Sequence, residues 1–101
     1  MSIQIDSISE DNVITLSGTD VVHTPLSLAP GAVNYLAVDA LSGFPTFAVQ
    51  FDTIVGVLAD SGSSVVWENK LFAWQGRWWN VFALQNNANV DVNVIVKTRN
   101  L

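Results

Sequence analysis

The sequence predicts an all-β fold: an antiparallel, jelly-roll-like β-sandwich or small barrel of about eight short strands. Three observations lead there. The apolar pattern repeats every second residue, not every 3.6. Fifteen Val, six Ile and six Thr, 27 of 101 residues, are β-branched and favour the pleated backbone. Turn residues recur roughly every 8–12 positions, the spacing of sandwiches and barrels. At 101 residues the chain is one domain, residues 1–101.

In chain order, Ile3 and Ile5 alternate with polar neighbours, so residues 1–10 read as a mobile arm or an edge strand. Residues 12–17 place Ile14 and Leu16 on one face. Residues 21–28 are interrupted by Pro25, which confines them to an edge strand or an extended connector. Ala29-Pro30-Gly31-Ala32 is a turn, because Pro presets φ and Gly accepts positive φ. Residues 33–40 form a strand, and residues 41–45 a loop. Residues 46–51 align Phe47, Val49 and Phe51 on one face. Residues 54–58 read as a short buried strand and residues 60–64 as a turn. Residues 64–68 and 70–74 are strands or one continuous strand, followed by a tight Gln75-Gly76 hairpin turn. Residues 77–85 alternate Trp78, Asn80, Phe82 and Leu84 against Trp79, Val81 and Ala83. Residues 86–89 turn the chain into the clearest strand, where Val90, Val92, Val94 and Val96 share a face. Ile95 interrupts its polar side.

Nine acids against four bases give a net charge of -5, so nucleic acid and anionic membrane surfaces are not expected partners. No cysteine is present, which excludes disulfides, thiolate chemistry and Cys-ligated zinc. The first residues lack the basic and apolar regions of a signal peptide, so no signal-driven secretion is expected. No apolar run approaches the length of a membrane-spanning helix.

Chemistry is sparse. His23 is the only histidine, and no nucleophile or metal ligand stands at a useful spacing from it. The acids in residues 6–11 lack the spacing and central glycine of a calcium loop. No catalytic residue, metal site or cofactor is expected, and the chain reads as a non-enzyme.

Two departures from an ordinary small domain carry the functional reading. Residues 1–67 hold seven acids and no Lys or Arg. Residues 68–101 hold two acids (Glu68, Asp91) against four bases (Lys70, Arg77, Lys97, Arg99), a net of +2 by subtraction. An acidic surface of one copy meeting a basic surface of another would set orientation. Large apolar side chains also fall on both faces of several strands: Val65-Val66-Trp67, Leu71 to Trp74, and Trp78-Trp79. Sheets apolar on both faces are normally covered on both. A lone sandwich leaves its outer faces wet, so neighbouring copies or a larger assembly are expected to cover them. The interface or ligand anchors are Trp74, Arg77, Trp78, Trp79 and Ile95, since Trp and Arg dominate binding hot spots. The alternative is a small carbohydrate-binding, lectin-like module. There Trp78 or Trp79 is the stacking platform, Asn80, Gln85 and Asn87 supply hydrogen bonds, and a glycan is the partner.

The Val/Asn/Thr-rich strand region at residues 89–98, the Pro30-Gly31 turn and the polar N-terminal arm resemble small bacteriophage virion structural proteins of the capsid-decoration or auxiliary type. That resemblance implies a homo-oligomer, trimer or larger, docked on a capsid or other large protein assembly. It implies a place in the virion, or in the host cytoplasm before assembly. Loops at residues 41–45 and 60–64 would then touch the lattice.

Overall fold

The organising element is a long hairpin. β4 (Val65–Trp74) and β5 (Arg77–Asn86) pair in unbroken antiparallel register from Val65↔Asn86 to Trp74↔Arg77. Gln75 (φ 51°) and Gly76 (φ 75°) both take positive φ at the turn between them. That is the backbone a two-residue type I′ connection demands, and it matches the right-handed twist of the strands. The computed structural model describes residues 3–43, 45–51 and 65–100. The strand expected at 54–58 and the turn at 60–64 lie outside the described residues, as does Phe44 within the loop at 41–45.

The other strands are β1 (Val22–Leu28), β2 (Val33–Asp39), β3 (Pro45–Phe51) and β6 (Val92–Asn100). They assemble into two three-stranded antiparallel sheets, β1-β6-β3 and β2-β5-β4, packed as a small β-sandwich. The described residues contain six strands, the expected one at residues 54–58 lying outside them. Residues 64–68 and 70–74 belong to one strand, and residues 12–17 contribute only a single parallel bridge, Val13↔Ala37. Pro25 sits on the edge strand β1, where its missing N–H costs no ladder bond.

The core between the sheets follows from the alternation. Val92, Val94 and Val96 of β6, with Leu26 and Leu28 of β1, meet Leu36, Val65, Phe82 and Leu84 of the facing sheet. One ring pair crosses between the sheets, and a third ring extends the stack within one of them. Phe47 of β3 stacks on Phe82 (centroids 4.9 Å apart), and Trp67 of β4 stacks on Phe82 as well (5.5 Å). Asn86, fully buried at the end of β5, donates through Nδ2 to the carbonyls of Leu28 (2.9 Å) and Val90 (2.8 Å). Its Oδ1 accepts from the Ala88 N–H (2.8 Å). One amide therefore fastens β5, β1 and the turn before β6.

The two outer faces differ. The face of β1-β6-β3 carries His23, Ser27, Gln50, Lys97 and Arg99 in pleat alternation with the core residues. It is an ordinary solvated face. The outer face of β2-β5-β4 is apolar and is covered by the chain's own N-terminal segment. Ile3, 3% exposed, and Ile5 bury against Ala37, Val81 and Ala83, with Ile8, Val13 and Tyr35 packed around them. Small residues at 37 and 83 leave a trough that one extended chain can fill. Polar bonds fix the strap. Tyr35 Oη donates to the Ser7 carbonyl and accepts from the Ser9 N–H, both at 2.9 Å. Asn12 Nδ2 donates to the Tyr35 carbonyl (2.8 Å). Residues 3–9 are therefore neither a mobile arm nor an edge strand. The alternation of Ile3 and Ile5 is real, but it buries them on top of a sheet instead of within one.

Thr98 is the odd residue in the core. It faces inward from β6, opposite Val22 and Phe47, and its buried hydroxyl has no hydrogen-bond partner. A buried hydroxyl left unpaired costs about 1–3 kcal/mol. Thr98→Val keeps the shape and removes that penalty, so it should stabilise the fold by about 1 kcal/mol. The check is a Tm raised by roughly 4–8 °C in calorimetry; an unchanged or lowered Tm contradicts it.

Candidate functional site

Period-two alternation splits the aromatic residues of the hairpin between its faces. Trp78 shares the core-side face with Asn80, Phe82 and Leu84, and with Trp67, Asn69, Leu71 and Ala73 of β4. Trp74, Phe72 and Trp79 lie on the strap side. Phe72 and Trp74 stack there with centroids 6.4 Å apart, and Trp79 packs into the strap's apolar cluster.

The core-side cover ends before the hairpin does. β4 and β5 are ten residues each, whereas β1 and β3 have seven. At about 3.4 Å per residue, the hairpin is roughly 10 Å longer than those strands. Towards its tip Trp78 is 59% exposed and Leu71 60%, and Leu41 from the short 3-10 turn after β2 is 93% exposed. These three line one apolar groove of about 410 Å³ with Asp39, Ala40, Gly76 and Arg77. Arg77 Nη1 donates to Asp39 Oδ2 (3.1 Å), and Asp39 Oδ1 accepts from the Leu41 N–H (3.0 Å). The ion pair thus positions the 3-10 turn beside the hairpin tip. It is largely solvated and adds little energy of its own.

On the strap side, a second groove of about 320 Å³ is bordered by Trp74, Trp79, Gln75, Arg77, Glu10, Ile8 and Val13. Trp79 Nε1 is buried without a hydrogen-bond partner. Trp67, on the core side near the other end of β4, is 63% exposed although one ring face rests on Phe82.

Of the anchors read from the sequence, Trp74, Arg77, Trp78 and Trp79 gather at the hairpin, on opposite faces. Ile95 does not join them. It is half-buried on the outer face of β1-β6-β3, in register with Pro25 and Gln50. Among the proposed sugar-binding amides, Asn80 stands beside Trp78, while Gln85 and Asn87 lie at the far end of β5. Leu41, noted in the sequence only as part of a loop, and Leu71 and Trp67, noted only as surplus apolar residues, were not among those anchors. The signal for the last two was the two-residue turn itself: once Gln75-Gly76 is fixed, the register puts Trp67 and Leu71 on the face of Trp78.

Electrostatics separate by face. Asp6, Glu10 and Asp11 are exposed along the strap, whereas Lys97 and Arg99 stand on the outer face of the other sheet. Glu68 and Lys70 of β4 pair at 2.9 Å and grip the strap's first residue. Glu68 accepts from the Ile3 N–H (3.3 Å), and Lys70 Nζ donates to the Ile3 carbonyl. The bond from Lys70 holds the Glu68 carboxyl below its ordinary range; partial desolvation opposes this, and the Lys70 charge and the Ile3 N–H reinforce it. A lowered folded-state pKa gives stability that is present above the unfolded carboxylate range and is lost as pH falls through the folded value. The strap should therefore loosen on acidification. Hydrogen exchange at the Ile3 and Ile5 amides, followed against pH, should show a dependence that Glu68→Gln removes. Identical profiles for both proteins would contradict it.

Among the described residues, no three of His, Asp and Glu gather in a metal-binding cluster, and no helix is long and apolar enough to cross a membrane. No protein-family model matches the chain, and no curated protein or solved structure matches it significantly either.

Proposed function

We propose that this chain is a non-enzymatic assembly protein whose copies bind one another and dock on a larger protein assembly, a phage capsid or other virion structure. One observation carries the reading. The domain closes two apolar clusters by its own means and still leaves Trp78, Leu71 and Leu41 bare on one groove. Large rigid apolar groups beside an Arg are the composition of a binding anchor. The acidic strap and the basic opposite face add complementary potentials that would orient one copy on another.

Light scattering after size exclusion, at micromolar concentration, should find a trimer or larger. Trp78→Ala should shift the population towards smaller species without lowering Tm, because Trp78 supports no core. A monomeric wild-type protein overturns the proposal. A carbohydrate-binding role is the second reading, favoured by the strap-side groove where two indoles adjoin Glu10, Gln75 and Arg77. Saturable quenching of Trp fluorescence by glycans, lost in Trp79→Ala, would support that role instead.

A further inference from the structure

We infer that two copies join antiparallel along the outer edge of β4, about a two-fold axis at Asn69, making one six-stranded sheet from two three-stranded ones. This rests on the self-association reading and specifies its first contact. The order β2-β5-β4 leaves β4 last in its sheet, with no strand beyond it among the described residues. Exposed edges invite pairing with another chain, and proteins usually guard them with prolines, bulges or cover. The other edges here show such devices. β1 carries Pro25, β3 begins at Pro45, and Ile14 N–H donates to the Ala37 carbonyl on β2 (2.9 Å). β4 has ten residues, no proline and no break in register.

The sequence of β4 is self-complementary about Asn69. With the axis there, residues equally far from 69 face each other across the junction. Glu68 meets the partner's Lys70, Trp67 meets the partner's Leu71, and Val66 meets the partner's Phe72. Opposite charges pair, and the two most exposed apolar residues of β4 cover one another. Moving the axis to Glu68 or Lys70 sets like charges face to face. Slipping the pairing by a single residue puts core-side groups opposite strap-side groups and is excluded by the pleat. The in-chain Glu68–Lys70 pair would then become half of a four-charge cluster of alternating sign.

The chain has no cysteine, which makes the test direct. In Asn69→Cys the new thiols of two copies would face each other across the two-fold, within disulfide reach. Mild oxidation should cross-link it roughly tenfold or more faster than Ser27→Cys, an exposed control on the other sheet, because pairing replaces random collision. Equal rates overturn the inference. A second arm is independent of cross-linking. Lys70→Glu alone and Glu68→Lys alone should each lose the β4 junction, and an equimolar mixture should restore it as a heterodimer, since every facing pair is again of opposite sign. Variants that assemble like wild type, or a mixture that recovers nothing, also overturn it. If wild type oligomerises while Asn69→Cys cross-links no faster than the control, only this junction falls. A monomeric wild type removes the broader reading as well.

Discussion

Replacing Ile3 and Ile5 together by Ala is expected to remove about 4 kcal/mol of stability. Buried Ile→Ala changes cost about 2–5 kcal/mol each. The lower end applies here, because the strap has solvent on one side and both residues share the same trough over Ala37, Val81 and Ala83. Against a total of about 5–15 kcal/mol this is a large fraction. In calorimetry the midpoint should fall by roughly 20 °C. The exposed sheet face should also bind a hydrophobic dye before the cooperative transition. A fall of less than about 5 °C would mean that the strap is an accessory and not a layer of the fold.

Asn86→Ala should cost about 3 kcal/mol. Three side-chain hydrogen bonds disappear, and the deletion leaves the Leu28 and Val90 carbonyls and the Ala88 N–H without those bonds. Most single substitutions cost far less. Urea denaturation should show a lower midpoint with an unchanged slope, the mark of lost stability without a change in exposed surface. Asn86→Asp separates the roles of the two amide ends. Its oxygen can still accept from Ala88, but the two N–H donors are gone, and the ionised form is a buried carboxylate. Burial raises that carboxyl's pKa, so the variant should be most stable at low pH, where the acid is protonated, and should weaken as pH rises through the unfolded value. A midpoint insensitive to pH would contradict this account.

The legibility of the fold tracks how local each determinant is. Gln75-Gly76 and the alternation on both sides of it define a hairpin from adjacent residues alone, and β4 and β5 follow the sequence reading closely. Pro25 marks an edge strand by a property of one residue, the missing N–H. Ile3 and Ile5 were harder. Period two says that one side of a segment is buried, and is silent on whether the segment lies in a sheet or across one. The apolar surplus of the hairpin was read as calling for cover by neighbouring copies, whereas on the strap side residues 3–9 of the same chain supply it. Asn86 sits in an Asn86-Asn87-Ala88-Asn89 stretch that looks like plain turn composition. Only the return of β1 beside it reveals a buried fastening point. In the candidate site, Trp78 is exposed at the tip of a hairpin longer than β1 and β3, which no local pattern records.

The strap also sets a schedule for synthesis. Its polar grip joins Ile3 to Glu68 and Lys70, 65 and 67 positions later in the chain. The strap therefore stays without its binding trough until β4 and β5, which follow it in the chain, have been made. β1 likewise waits for its partner β6, which follows both strands of the hairpin. The Gln75-Gly76 hairpin, whose contacts are local in sequence, is the expected earliest nucleus. Such distant pairings place the protein among slow folders.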